Sequence, residues 1–205
     1  MQELRDHVVA GDAGAAAAET MRALDAGVDA STIMNDGLIP AMDVVGGRFS
    51  TGEIYVPEML VSALAMKRCL EHLKPHLLAD RGAYRGSVVI GSVKGDLHDI
   101  GKNIVAMMLE GAGFEVEDLG VDVSPEAFVA ALHATQPQIV ALSCLLTTTM
   151  PMMPRTIEAL EEAGVRTRVR VLVGGAPVTA EYATRIGADA YAPNAAAGVE
   201  AAKKL

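Results

Sequence analysis

The stretch Gly95-Asp96-Leu97-His98-Asp99-Ile100-Gly101 sets a histidine between two aspartates, directly after the apolar run Ser87–Val93. A histidine can ligate a metal through one ring nitrogen while the other N–H donates to a carboxylate. That second bond fixes the tautomer and raises the basicity of the ligating nitrogen. Asp96, two residues before His98, is the candidate carboxylate. One histidine does not make a zinc site, which needs three or four protein ligands. The chain has five histidines, and His7, His72, His76 and His133 all fall on expected helices away from this loop. His98 is therefore either a ligand to a metal whose other donors arrive with a cofactor, as in a macrocycle, or a loop histidine that ligates nothing. The spacing alone leaves both open. A nucleotide is disfavoured: the loop lacks G-x-G-x-x-G, the chain lacks G-x-x-x-x-G-K-[ST], and Asp96 and Asp99 would repel a phosphate placed on them.

The elements that must position these groups change character along the chain. Residues 1 to about 80 read as four helices: Met1–Ala10, Ala13–Ala26, Ser31–Phe49 with a kink or break expected at Pro40, and Glu58–Leu78 opening behind Pro57. Short connections make these a small bundle. The polar, glycine-bearing Ala79–Gly86 reads as a linker. From Ser87 to Leu205, apolar runs of strand length alternate with helical patterns. The expected strands are Ser87–Val93, Glu115–Leu119, Ile139–Leu145, Val169–Val173 and Ala190–Ala192. The helices between them are Ile100–Ala112, Pro125–Thr135, Pro151–Ala163 and Val178–Ile186, and Ala195–Lys204 closes the chain. Five such units predict an α/β fold with a doubly wound, five-stranded parallel sheet, Rossmann-like and flavodoxin-like, behind a helical bundle.

Composition narrows the function classes. Of 205 residues, 51% are hydrophobic but only 3% aromatic, with no tryptophan, which suits helix packing and buried parallel strands. The net charge of -9 opposes binding to a phosphate backbone. Cys69 and Cys144 stand far apart without metal-ligand spacing, as in a reducing, cytoplasmic setting. No apolar run approaches the length of a membrane span.

Ligands of such sheets bind beyond the carboxyl ends of the strands. The residues there are small or hydroxylated. Ser143, Leu145, Thr147 and Thr149 follow or end the third strand, Gly174-Gly175 ends the fourth, and Ala195 follows the fifth.

Asp96-x-His98-x-x-Gly101, then Ser143-x-Leu145, then Gly174-Gly175, in this order and at these strand ends, resembles the cobalamin-binding domain of corrinoid proteins. The string Gly95–Val105 is similar to that of the cobalamin module of methionine synthase. Gly46-Gly47-Arg48-Phe49, followed by Gly52 to Glu58, resembles the helical cap that precedes this domain, so the likeness covers almost the whole chain. The size resembles that of the small methyl-carrying corrinoid proteins of methylamine, methanol and methoxyarene methyltransferase systems.

The resemblance implies a cobalamin or related corrinoid, with His98 replacing the cofactor's own base as lower cobalt ligand and Asp96 as its hydrogen-bonded carboxylate. Thr149 falls where a third relay member, often a serine, stands. Gly95, Leu97, Asp99 and Ile100 complete the ligand loop, and Gly101 would let it turn into the next helix beside the nucleotide tail. Ser143, Leu145 and Thr147 would line a slot for the displaced base, Gly174-Gly175 would leave the tail room, and Ala195 would lie against it. Phe49 and Val56 match apolar positions that cover the upper face. Asn35 departs from a glutamate of methionine synthase.

The implied partners are a substrate-specific methyltransferase, an acceptor methyltransferase serving tetrahydrofolate or coenzyme M, and a reductive activase, with neither nucleic acid nor membrane. Two other readings share the domain. A cobalamin-dependent sensor is expected to carry a DNA-binding domain ahead of the cap, whereas here the cap begins almost at Met1. The cobalamin subunit of an adenosylcobalamin mutase normally lacks the cap.

Overall fold

The computed structural model describes residues 1–77 and 84–205. The expected linker Ala79–Gly86 falls mostly on residues outside that description. The chain divides into two compact units, Met1–Arg85 with Met107–Phe114, and Gly86–Ala106 with Glu115–Leu205.

The first unit is helical: α1 (Gln2–Val9), α2 (Ala13–Asp25), α3 (Ala30–Ile33), a π-helical turn (Met34–Leu38), α4 (Ile39–Ser50) and α5 (Val56–Leu77). Aspartates start two of them. The Asp12 carboxylate accepts the Ala15 N–H at 3.0 Å, and Asp29 accepts those of Ser31 and Thr32 at 3.1 and 3.3 Å. Leu4, Ile33, Met34, Leu38, Met59, Met66 and Leu73 are fully buried in this unit.

Pro40 does not break the helix as expected. The chain widens by one π turn, in which the Ile39 N–H reaches back five residues to the Met34 carbonyl. Proline has no N–H for the carbonyl four residues earlier, that of Asp36. Arg5 replaces the missing donor: its Nε and Nη2 both bond the Asp36 oxygen, at 2.8 and 2.5 Å. Arg5→Ala is expected to lower stability by about 0.5–1.5 kcal/mol. That loss should shrink in a Pro40→Ala background, where the helix regains its own donor. Urea melts of the double-mutant cycle measure it, and equal losses in both backgrounds would contradict the account.

The second unit is built on β1 (Gly86–Ser92), β2 (Phe114–Asp118), β3 (Ile139–Ser143), β4 (Arg170–Gly174) and β5 (Ala190–Ala192). They form one sheet in the order β2-β1-β3-β4-β5. β1–β3, β3–β4 and β4–β5 pair in parallel, with Ser92 beside Ser143 and Ser143 beside Gly174. The helices are α6 (Ile100–Gly111), α7 (Pro125–Thr135), α8 (Met152–Glu162), α9 (Ala180–Arg185) and α10 (Ala195–Ala202). Ser124, Thr179 and Asn194 cap α7, α9 and α10 through their side chains. Phe128, Leu142, Met153, Ile157, Leu160, Val171 and Val173 join in one buried cluster. The expected fold class is borne out. Its strand order reverses between β1 and β3, the point where open α/β sheets form a ligand crevice.

Small differences carry physical reasons. β3 stops at Ser143 rather than Leu145, because the N–H groups of Leu145 and Leu146 leave the ladder to bond Asp96. α9 starts two residues later than expected, where Thr179 caps it. Among the described residues no helix is long and apolar enough to cross a membrane.

Candidate functional site

The loop after β1 is held from two sides. Gly95 sits at φ +82°, in the left-handed region that suits glycine. Its N–H donates to the Asp122 carboxylate at 2.7 Å, Lys94 pairs with the same carboxylate at 3.0 Å, and the Asp122 N–H donates to the Asp96 carbonyl at 2.9 Å. Below the loop, the fully buried Ser92 hydroxyl donates to the His98 carbonyl at 2.6 Å.

This scaffold sets Asp96, 0% exposed, between two loops. Its Oδ1 accepts the His98 backbone N–H at 3.0 Å and meets His98 Nδ1 at 2.7 Å. Its Oδ2 accepts the N–H groups of Leu145 at 2.7 Å and Leu146 at 3.3 Å, and the Thr149 hydroxyl at 3.0 Å. One carboxylate therefore ties the end of β1 to the end of β3. Burial works to raise its pKa, but the bonds from Leu145, from the His98 backbone and ring, and from Thr149 outweigh it and hold the group down at about 2. Asp96 is ionised at neutral pH and can only accept. Nδ1 of His98 must then carry the hydrogen, which leaves Nε2 with its lone pair free for a ligand.

The His98 side chain is 49% exposed at the rim. Around it Leu97 is 71% exposed, Ile100 76%, Leu145 43% and Leu146 40%. Exposed apolar side chains beside one polar donor fit a large, largely apolar planar ligand better than a hydrated ion. No group of three or more His, Cys, Asp or Glu side chains able to hold a metal occurs among the described residues. The donor set thus fits a metal that brings its other ligands in a macrocycle and takes a single imidazole from the protein.

The other expected residues fall into three places. Asp99 and Ile100 are exposed at the start of α6, where Asp99 accepts from the Asn103 amide at 3.2 Å and not from His98. Gly101 has ordinary helical backbone, so the turn into α6 does not depend on it. The left-handed turn is made by Gly95, and a Cβ at Gly101 would meet nothing within 4 Å.

Ser143 is half-buried, Thr147 is exposed, and Ala195 opens α10, half-buried. Gly174 and Gly175 do more than leave space: a Cβ at Gly175 would stand 1.8 Å from the Cys144 carbonyl oxygen, and one at Gly174 would stand 3.1 Å from that of Ala192. Their bareness lets neighbouring backbones close on each other.

Phe49 and Val56 belong to the helical unit, at the end of α4 and the start of α5, on either side of one turn. Asn35 lies exposed in the π turn. Ser92 and Asp122 are the positioning residues that the sequence did not reveal. A serine inside an apolar strand run and an aspartate in a short loop carry no spacing signal, although Asp122 adopts φ +55°, a left-handed conformation that aspartate tolerates better than most residues.

Comparison with known proteins agrees with this geometry. The B12 binding domain family matches residues 86–201, and a second B12 binding domain family matches residues 1–74. Trimethylamine corrinoid protein 2 of Methanosarcina mazei is 45% identical over 188 residues, 89% of this chain and 86% of that protein. A corrinoid protein of Desulfitobacterium hafniense is 38% identical over 208 residues, 100% of this chain and 96% of that protein. Among solved structures, the methanol:cobalamin methyltransferase complex of Methanosarcina barkeri contains a chain with a TM-score of 0.87 at 30% identity, over 98% of this chain and 77% of that one. A cobalamin-binding protein of Desulfitobacterium hafniense gives a TM-score of 0.76 at 33% identity, over 98% of this chain and 96% of that one. With a half-exposed imidazole backed by a buried carboxylate at the sheet's switch point, and with both halves matched, this chain belongs to the family of B12-binding corrinoid proteins.

Proposed function

We propose that this protein carries a methyl group between a substrate-specific methyltransferase and a second methyltransferase that passes it to tetrahydrofolate or coenzyme M, with His98 as the lower cobalt ligand. The observation that carries the reading is the His98–Asp96 pair, one nitrogen committed at 2.7 Å to a buried carboxylate and the other left for a metal. A bound corrinoid supplies a cobalt centre that can accept a methyl group and release it. The protein's own part is to hold one imidazole at a fixed angle and tautomer. Asp96 orients the ring, Thr149, Leu145 and Leu146 orient Asp96, and the exposed Leu97, Ile100, Leu145 and Leu146 provide the apolar bed. No general acid, base or nucleophile is assigned to a substrate here, so the choice of methyl donor and acceptor is left to partner enzymes. The likeness to the Methanosarcina barkeri complex supports a methyltransferase as one such partner. A reductive activase is the third partner of this reading, since cobalt in its most reduced state is lost to oxidation.

The purified chain is loaded with hydroxocobalamin, freed of excess cofactor, and its visible spectrum is compared with that of His98→Ala. Wild type is expected to retain about one cobalamin per chain with a histidine-ligated spectrum. The variant should lose that signature and bind about 10–100-fold more weakly. A variant spectrum identical to wild type removes His98 from the metal. Retention of no cobalamin by wild type removes the carrier reading.

A further inference from the structure

The hydroxyl of Thr149 has one proton and two acceptors. Oγ1 lies 3.0 Å from Asp96 Oδ2 and 3.0 Å from the Leu146 carbonyl oxygen. Distance does not choose between them, but charge does: Asp96 is an anion, and the Leu146 oxygen already accepts the backbone N–H groups of Thr149 at 3.1 Å and Met150 at 3.2 Å. A third group stands in the same place: the Sγ of Cys144, fully buried, is 3.1 Å from Thr149 Oγ1 and 3.1 Å from the Leu146 oxygen. Cys144 is unpaired and lies one residue beyond β3.

The sulfur bears one proton as well, and with the Leu146 oxygen filled by two backbone N–H groups its open acceptor is the Thr149 oxygen. If S–H donates to Thr149, the hydroxyl oxygen is already accepting, and its own O–H is polarised toward the charged carboxylate. We propose that Cys144 is a positioning residue of the His98 site, whose thiol donates to Thr149 and strengthens the bond from the Thr149 hydroxyl to Asp96.

The sulfur is kept in the donating form. Burial pushes its pKa up against the bonds to Thr149 and Leu146, and the nearby Asp96 charge adds to the rise. The hydrogen-bond chain therefore has four members, Cys144, Thr149, Asp96 and His98. A donor on Oδ2 draws charge away from Oδ1, and so moderates the pull of Oδ1 on the His98 Nδ1–H. Without the thiol, the Thr149 hydroxyl is a weaker donor to Oδ2, and the carboxylate pulls harder on the ring. Its meaning at the metal rests on the reading of His98 as the lower ligand; the hydrogen-bond order itself does not.

The test uses the full chain without cofactor at one fixed pH at which the ring is neutral, and reads the His98 Nδ1–H resonance by proton–nitrogen correlation. Thr149→Val is expected to move it downfield, Cys144→Ala to move it part of the way, and Cys144→Ser, which keeps a donor of similar size, to return it to the wild-type position. A resonance that moves in Thr149→Val but stays in place in Cys144→Ala overturns the proposal. So does a serine variant that behaves like alanine, since loss of packing rather than of a donor would then be the cause. The same variants are then loaded with hydroxocobalamin, and the midpoint potential of cobalt is expected to shift to more negative values in Cys144→Ala. An unmoved potential alongside the expected resonance shifts locates the failure in the ligand reading and leaves the role of the thiol supported.

Discussion

Alanine at position 96 is expected to destabilise the sheet unit by about 3–4 kcal/mol and to weaken cobalamin retention about 10–100-fold. The cause is the number of donors that one side chain satisfies. Removing it leaves the His98 ring N–H and the backbone N–H groups of His98, Leu145 and Leu146 without that acceptor, and the Thr149 hydroxyl with only the Leu146 carbonyl. That loss is a large part of the 5–15 kcal/mol that a typical domain has in total. Asparagine keeps the shape but not the chemistry. Its amide must point two hydrogens either at Leu145, Leu146 and Thr149 or at His98, donor against donor. It is expected to recover less than half of the loss, by urea midpoint.

The same carboxylate predicts an acid limb. Its pKa lies at about 2 in the folded chain against an ordinary 3.8. A depressed folded value means stability that is fully present above the unfolded value and lost as pH falls through the folded one. On the order of 2 kcal/mol should therefore disappear between about pH 4 and pH 2 in wild type, and not in Asp96→Asn. Parallel pH profiles for the two proteins would show that Asp96 does not carry this term.

Gly175→Ala is expected to be the more severe structural change, at about 3–5 kcal/mol. The new Cβ would fall 1.8 Å from the Cys144 carbonyl oxygen and 2.7 Å from its carbon, both rigid backbone, at a φ of +129° that a side chain rarely adopts. No rotamer change relieves this, so β4 and the segment after β3 must separate. That segment includes Leu145, whose N–H holds Asp96, and the site should loosen with the fold. A soluble variant should show a lower urea midpoint and lose the histidine-ligated spectrum together. Wild-type stability with only the spectrum altered would assign Gly175 to the cofactor alone. Gly101→Ala is the control, because its Cβ would meet no protein atom: stability should be unchanged, and any effect should come from the ligand.

The sheet was legible because its strands are continuous apolar runs, such as Ile139 to Leu142, that alternate with helical patterns. The order of the strands was not legible, since no local pattern tells which strands pair. His98 and Asp96 were legible because their spacing of two lets a single loop bring them together. Ser92 and Asp122 were not, because each acts on the histidine loop through backbone atoms, and a backbone carbonyl or N–H has no letter in the sequence. Gly174-Gly175 was read as an empty channel. Gly175 is also an intimate backbone contact, a role that depends on where the β3 segment ends. Pro40 was read as a break because the donor that compensates for it, Arg5, lies 31 residues away.

The saturation of Asp96 decides where a proton can be kept. A carboxylate that already accepts five hydrogen bonds has no lone pair to spare for a hydrogen of its own near neutrality. Nδ1 already bears one. Nε2 is the single open position of the pair, and it is reached from outside because the imidazole stands half in solvent. The pair is a one-seat device: whatever it ligates must come to Nε2, with the Asp96 anion behind the ring. Asp96, Thr149 and the segment after β3 are held by bonds that do not involve Nε2, so the rigid part of the site is complete before that seat is taken.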